Sequence, residues 1–477
     1  MASGAGLLQR RQNFGRLLIS SPQGRSGKTI VTVGLCDVLK RRGLSIQPFK
    51  KGPDYIDPSW LTLAAGRSCR NLDLFLIPKE KLVQTFEQAC DKSDLAIVEG
   101  AMGLYDGLNT QGTTAEIARL LNIPILFVVN TTRMTGSIAA MVTGYQHFQK
   151  GIQIAGVVLN YVSGTRHEKK LKDAVEQYCG IPVVGSIPKD QDLRIMERHL
   201  GLIPTSESGE AESLVERIGR KLDSRFDLDK ILSIAGSTKG PQTPSSLLKN
   251  PALLRKRGRV KEAAGDQKAR IGIIRDRAFN FYYPENLEAL VMEGAELFFI
   301  DSFKDRLPKV DGLYIGGGFP EFFLKELEGN RNLRQDIAKA VHEGLPVYAE
   351  CAGLMYLCRS ISWKRRSYKM VGVIPSEINL SERPEGHGYV VARVINRNPF
   401  FPVGLTLRGH EFHHSSLSPS GPLQFAYQIE RGKGIAEKKD GIVFKNLFAS
   451  YVHLHALGTP EWAKGFVGLA SKGKVGS

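Results

Sequence analysis

Leu17-Leu-Ile-Ser-Ser-Pro-Gln-Gly-Arg-Ser-Gly-Lys-Thr29 decides how the first half of this 477-residue chain folds. An apolar run, a loop of small residues and the start of an amphipathic stretch predict strand, turn and helix in that order. Small residues let backbone N–H groups close around phosphate oxygens, and a helix N-terminus favours negative charge. Gly24, Arg25, Ser26, Gly27, Lys28 and Thr29 are therefore the candidate ATP-binding residues, with Lys28 aimed at the β and γ phosphates and Thr29 at Mg²⁺. The full pattern, G-x-x-x-x-G-K-[ST], asks for glycine at position 22, where this chain has Pro22; the Ser-Gly-Lys-Thr core is intact.

Working outward, Pro48-Phe-Lys-Lys-Gly-Pro-Asp-Tyr-Ile-Asp-Pro58 crowds two lysines and two carboxylates into a turn stiffened by prolines. That composition suits a rigid loop facing an anion and a metal ion. Leu95-Ala-Ile-Val-Glu-Gly100 is an apolar strand ending in a carboxylate, the place where a second Mg²⁺ contact belongs. Further apolar runs at Ile123–Asn130, Ile154–Asn160 and Pro182–Ser186 alternate with helical patterning. The alternation predicts βαβ units: an α/β domain with a mainly parallel sheet over residues 16–232.

Patterning fades over residues 233–268, which read as a flexible basic linker, and restarts at Arg270-Ile-Gly-Ile-Ile-Arg-Asp276. A second α/β domain is expected over 269–464, more β-rich after Val371. In it, Val347-Tyr-Ala-Glu-Cys-Ala-Gly353 places Cys351 between a strand and a helix-like stretch. A sharp strand–turn–helix elbow exposes a nucleophile, and a helix N-terminus is expected to lower the thiol pKa. A base must come from elsewhere in the sequence, and Ala449-Ser-Tyr-Val-His-Leu-His455 supplies His453. Tyr314-Ile-Gly-Gly-Gly-Phe-Pro320 offers backbone amides, with Gly317 and Gly318 as the candidate oxyanion hole.

Composition sets limits. Hydrophobic residues make up 42% and charged residues 24%, as in ordinary globular proteins, and no apolar run is long enough to span a membrane. The first strand begins too early for a signal peptide, so a cytoplasmic location is expected. Cys36, Cys69, Cys90, Cys179, Cys351 and Cys358 are scattered without a C-x-x-C pair, which predicts reduced thiols. Of the net charge of +17, +3 falls in residues 1–16 (Arg10, Arg11, Arg16) and +6 in residues 249–270, read as mobile basic segments. The second of these lacks the interleaved aromatics of an RNA-binding patch, so no nucleic-acid partner is expected. His410-Glu-Phe-His-His414 matches the H-E-x-x-H zinc pattern, but its flanks read as strand and turn rather than the helix that zinc ligation needs.

Taken in order, these segments resemble the cobyrinic acid a,c-diamide synthases, whose synthetase domain is a distant relative of dethiobiotin synthetase and whose second domain is a triad-type glutamine amidotransferase. Gly66-Arg67 with Asn71-Leu-Asp73, Val98-Glu-Gly-Ala-Met-Gly-Leu-Tyr-Asp-Gly107, Leu159-Asn160 and Glu197-Arg-His-Leu-Gly-Leu202 fit as well, and the match is collinear from about residue 16 to residue 463. The resemblance implies ATP- and L-glutamine-dependent amidation of the a and c acetates of a tetrapyrrole polycarboxylate, with Mg²⁺ as cofactor, and leaves room for a homodimer. It implies Mg²⁺ contacts from Thr29, Asp54 and Glu99, and substrate contacts from Lys50, Lys51, Tyr55, Asp57, Tyr105 and Asp106. In this branch the acidic third member of the triad is often missing, and here His455 stands two residues after His453 where relatives elsewhere have Glu. Many members carry histidine where this chain has Leu61. Trp60-Leu61 is therefore expected to form an apolar pocket wall that admits sirohaem or nickel-sirohydrochlorin as alternative substrates. The rival class, a P-loop regulatory or partitioning ATPase, has no use for Cys351, His453 and the glycine loop together.

Overall fold

The structure, a computed structural model, describes residues 14–108, 111–193, 195–198, 201–237 and 268–472. These fall into two compact units: residues 14–74 with 78–237, and Phe75–Ile77 with 268–472. Arg10, Arg11 and the basic segment up to residue 267 lie outside the described residues, as do His199 and Leu200. Two arginines counted with the basic segments are corrected by the structure. Arg16 is only 1% exposed, its guanidinium donating to Glu87 (3.2 Å) and to the Leu121 carbonyl. Arg270 lies in a strand and covers the Phe298 ring.

In the first unit, β1 (Gly15–Ser20), β2 (Ile46–Lys51), β3 (Arg70–Leu72), β4 (Leu95–Glu99), β5 (Ile125–Asn130), β6 (Ile154–Val162) and β7 (Val183–Pro188) form one sheet. Its order is β3-β2-β4-β1-β5-β6-β7, and every pairing is parallel. Leu17, Leu18 and Ile19 are all buried, so β1 shows no alternation, as a strand covered on both faces should. Helices α1 (Lys28–Arg41) and α2 (Ile56–Ala65) follow β1 and β2. Asp54 Oδ1 accepts the N–H groups of Ile56 and Asp57, satisfying two orphan donors at the start of α2, and Gly66 ends the helix in a left-handed turn. Helices α3 (Ala211–Asp223) and α4 (Leu228–Gly236) close the unit, with Ile218, Leu222 and Ile231 sharing a core with Val31, Leu35 and Leu39. Regular structure thus runs to Gly236, past the boundary expected at residue 232. A short antiparallel pair, β8 (Glu197–Arg198) with β9 (Gly201–Leu202), lies before α3.

The second unit opens with parallel strands β10 (Ala269–Ile274), β11 (Ala295–Ile300), β12 (Gly312–Ile315) and β13 (Val347–Glu350). The chain then forms β14 (Cys358–Trp363), β15 (Arg366–Lys369), β16 (Ile374–Leu380), β17 (Gly386–Val394), β18 (Thr406–His413), β19 (Ser415–Pro419), β20 (Gln424–Arg431), β21 (Lys439–Phe444), β22 (Leu447–Ser450) and β23 (His453–Leu454). Ten strands make a mixed sheet in the order β11-β10-β12-β13-β22-β21-β20-β17-β18-β23, and β15-β14-β16-β19 make a smaller one. Two cores flank the large sheet, one around Ile315, Ala349 and Leu354, the other around Tyr314, Tyr348, Trp462 and Phe466. The parallel order delivers the C-terminal ends of β12, β13 and β22 side by side. That edge carries the glycine loop, Cys351 and the turn that leads to His453.

Candidate active sites

The loop after β1 is wound tightly. Arg25 and Gly27 both have positive φ (58° and 93°), and a Cβ at Gly27 would lie 2.1 Å from Asn160 Nδ2. That amide donates to the Ser26 carbonyl (2.9 Å), so Asn160 at the end of β6 braces the turn from outside. Asn160 belonged to a recognised motif, but nothing in the sequence assigned it this role. Pro22 does not disturb the loop: its carbonyl accepts the Tyr145 hydroxyl at 2.9 Å. Lys28 Nζ donates to Ser21 Oγ (2.9 Å) and the Met102 carbonyl (2.7 Å). Burial, and then the charge of Lys50, lowers its pKa to about 8.

Thr29, Glu99, Lys50 and Asp57 form one cluster, in which Glu99 and Lys50 are buried. Glu99 Oε1 accepts from Thr29 Oγ1 (2.8 Å) and Lys50 Nζ (2.7 Å), and Asp57 Oδ2 accepts from Lys50 Nζ (2.5 Å). Asp54 stands 3.8 Å from the same ammonium. Burial alone would lower the Lys50 pKa, but the charges of Asp57, Glu99 and Asp54 outweigh it and hold it well above the ordinary value. Burial pushes the Asp54 carboxyl up to about 7, helped by Asp57. Glu99 Oε2 is buried and has no hydrogen-bond partner, an arrangement that suits a cation carrying further charge to it.

Of the residues expected to meet the substrate, Lys50 and Asp57 bond directly to each other, and Asp106 lies within electrostatic reach of Lys51. Lys50 faces Glu99 and Asp57, not an open anion site. Lys51 is buried, its ammonium pushed down by that burial, with Asp73 its largest opposing charge. Tyr55 sits half-buried at the start of α2. Tyr105 donates its hydroxyl to the Tyr145 carbonyl (2.6 Å) and stacks on that ring, while Asp106 accepts the Gly103 N–H at 2.8 Å. Asp106 therefore shapes its own loop, and Tyr105 ties that loop to the helix Ser137–His147. The apolar pocket wall is overturned outright: Trp60 is 1% and Leu61 0% exposed, and both belong to the core of the first unit. Trp60 Nε1–H donates to the Ile203 carbonyl. Spacing after Asp57 could not reveal that α2 turns this pair inward, so Leu61 carries no information about a substrate pocket.

In the second unit, Cys351 joins β13 to α5 (Ala352–Leu357) at φ 49° and ψ −100°, a sparsely populated positive-φ conformation that costs about 1–3 kcal/mol for a non-glycine residue. Its N–H donates to the Ser450 carbonyl at the end of β22, three residues before His453. The Ala352 N–H lies beside the thiol, a donor the sequence reading missed although the residue after an elbow nucleophile is its usual source. The thiol pKa differs from expectation: burial pushes it up, with Glu321 adding to the effect, and a six-residue helix does not compensate. A thiolate here needs a base.

His453 is buried at 1% exposure in β23, paired in register with His410, and the two rings stack at 4.8 Å. A Cβ on Gly317 would lie 2.5 Å from His453 Cε1 and 3.3 Å from Nε2, so the glycine loop runs against that edge of the ring. Gly318 has φ 155°, and a Cβ there would strike the Ala278 carbonyl. The Gly316 N–H is committed to the Tyr282 hydroxyl (2.7 Å), which keeps Gly317 and Gly318 as the oxyanion candidates. His410 to His413 lie in β18 in extended backbone, where residues i and i+4 are about 13 Å apart. His410 Nε2 instead meets the Tyr283 hydroxyl at 2.8 Å. Burial holds His410 well below the usual imidazole range, and His413 at about 4.

These two arrangements define a nucleotide-binding unit fused to a glutamine amidotransferase unit. Residues 17–203 match the CobQ/CobB/MinD/ParA nucleotide binding domain, and residues 270–461 match the CobB/CobQ-like glutamine amidotransferase domain. Over 452 residues the chain is 43% identical to the cobyrinate a,c-diamide synthase of Magnetococcus marinus, covering 94% of this chain and 95% of the relative. The enzymes of the same name from Methanosarcina acetivorans (39% identity; 96% and 95% covered) and Archaeoglobus fulgidus (38%; 96% and 98%) align as fully. The chain belongs to the cobyrinate a,c-diamide synthase family.

Proposed function

We propose that the chain amidates the a and c acetate carboxylates of cobyrinate, using ATP and glutamine, as a cytoplasmic ligase. The observation that carries this reading is the strained Cys351 elbow, with the Ala352 N–H beside it, on a chain that also holds Lys28 and the bonded Thr29–Glu99 pair. A P-loop ATPase of the regulatory kind has no use for such a thiol. With Leu61 in the core, the argument for sirohaem or nickel-sirohydrochlorin loses its basis, and relatives named for cobyrinate cover nearly the whole chain.

Hydroxide is a poor leaving group, so a carboxylate must be activated before ammonia can displace it. A substrate carboxylate oxygen attacks the γ phosphorus of ATP and ADP leaves; ammonia then attacks the acyl carbon and phosphate leaves. Lys28 and the loop amides hold the phosphate charge. Thr29 and Glu99, with Asp54 alongside, would hold Mg²⁺, which would supply further positive charge at the phosphates. In the second unit, Cys351 Sγ attacks the glutamine amide carbon while His453 takes the thiol proton and passes it to the departing ammonia. Amides of Gly317, Gly318 and Ala352 hold the oxyanion, and water then cleaves the thioester to glutamate.

The test is a pair of variants and two nitrogen sources. Cys351→Ser is expected to abolish glutamine-dependent amidation and keep amidation from ammonium salts. Lys28→Ala is expected to lose both while still hydrolysing glutamine. A folded Cys351→Ser protein that also lost the ammonium-dependent reaction would refute the division of labour. Higher kcat/KM on sirohaem or nickel-sirohydrochlorin than on cobyrinate would refute the substrate.

A further inference from the structure

We propose that Glu350, the residue immediately before the nucleophile, is the carboxylate that positions His453. The proposal rests on the reading of Cys351 and His453 as nucleophile and base. A base in such a site needs a partner at Nδ1 that fixes ring and tautomer, leaving Nε2 free to take the thiol proton. His455 stands at the sequence position of the usual acid and cannot serve. Its own Nε2 lies 3.6 Å from Glu285 Oε2, and its Nδ1 accepts the Leu457 N–H.

Glu350 fills the gap from a different strand. It is 1% exposed at the end of β13, with Oε2 3.5 Å from His453 Nδ1. Oε2 also accepts the Tyr314 hydroxyl (3.0 Å), while Oε1 accepts the Tyr348 hydroxyl (3.0 Å) and the Leu454 N–H (3.1 Å). The last bond ties the carboxylate to the strand that carries His453, so Glu350 fixes backbone and ring together. Among the described residues, His453 is the ion-pair partner of Glu350, and the hydrogen bonds to the carboxylate come from neutral donors. Placed at Nδ1, the carboxylate can fix the ring's tautomer and balance the imidazolium formed when the base takes the thiol proton. The gap of 3.5 Å is longer than a finished hydrogen bond, and catalytic bonds commonly tighten when substrate binds. The Cε1–Nε2 edge of the ring faces Gly317. One strand end thus supplies both the nucleophile and the acid.

The experiment compares Glu350→Gln, Glu285→Gln and His453→Asn in the full chain. Each is assayed for glutaminase and for ammonium-dependent amidation, with ¹⁵N NMR of histidine on the unmodified enzyme. Glu350→Gln is expected to lower glutaminase kcat by up to about 10⁴-fold with KM changed less than about threefold, as removal of an orienting carboxylate does elsewhere. Glu285→Gln should stay near wild type, and ammonium-dependent amidation should survive in all three. The NMR signal that disappears in His453→Asn should report the Nδ1–H tautomer. That measurement stands even where Glu350→Gln does not fold, and an Nε2–H tautomer overturns the proposal. Glu350→Gln within about threefold of wild type, beside an inactive His453→Asn, overturns the role of Glu350 alone. An active His453→Asn overturns the base itself.

Discussion

Gly317→Ala offers the most direct reading of the amidotransferase geometry. An added Cβ would sit 2.5 Å from His453 Cε1, whereas non-bonded carbon atoms settle about 3.5–4.0 Å apart. The ring must retreat by about 1 Å, and it has little room, because His410 stacks on one face and Glu350 lies at Nδ1. Backbone strain does not enter, since Gly317 is not among the residues at positive φ. A misplacement of about 1 Å in a catalytic group can cost about 10²-fold in rate, equivalent to roughly 2.7 kcal/mol of barrier. The assay is glutamate release by purified Gly317→Ala, with ammonium-dependent amidation on the same preparation as the control. Glutaminase is expected to fall about 10²-fold while the ammonium reaction stays unchanged. Glutaminase within threefold of wild type in a folded protein would show that the loop is not packed against the base as described.

Other expectations bear on the first unit. Lys28 has a pKa of about 8 in the free protein, and phosphates raise it by favouring the charged form. ATP affinity should therefore be flat below pH 8 and fall by up to about tenfold per unit above it, with proton uptake on binding measurable by calorimetry in buffers of different ionisation enthalpy. No uptake at pH 9 would mean that the ammonium is already charged there or does not meet the phosphates. Leu61→Ala should cost about 2–5 kcal/mol of stability, read by denaturant unfolding, without changing preference among tetrapyrroles. A changed preference with unchanged stability would restore the pocket wall. Gly27→Ala places a Cβ against Asn160 at a left-handed φ, so nucleotide binding should be lost while glutaminase persists.

The sequence alone determined the elements whose signals are local. Leu17–Thr29 reads as strand, loop and helix because hydrophobic runs, small residues and a Lys-Thr pair act within a few bonds of one another, and the parallel sheet follows from alternation of element types. The Cys351 elbow was legible for the same reason, and His410–His413 read as strand because strand and helix periods differ. What needed tertiary structure was every question of direction and distance. Trp60 and Leu61 look like pocket residues in a list, and only the packing of α2 shows them in the core. Lys50 reads as an anion receptor until three carboxylates are found around it. The raised pKa of Cys351 could not be foreseen, because desolvation depends on everything folded over the thiol and not on the helix that follows it. Glu350 is adjacent to the nucleophile in sequence, yet its partner lies about a hundred residues on. The pairing exists because β13 and β22 run side by side and the chain turns from Ser450 into β23, whose Leu454 N–H meets Glu350.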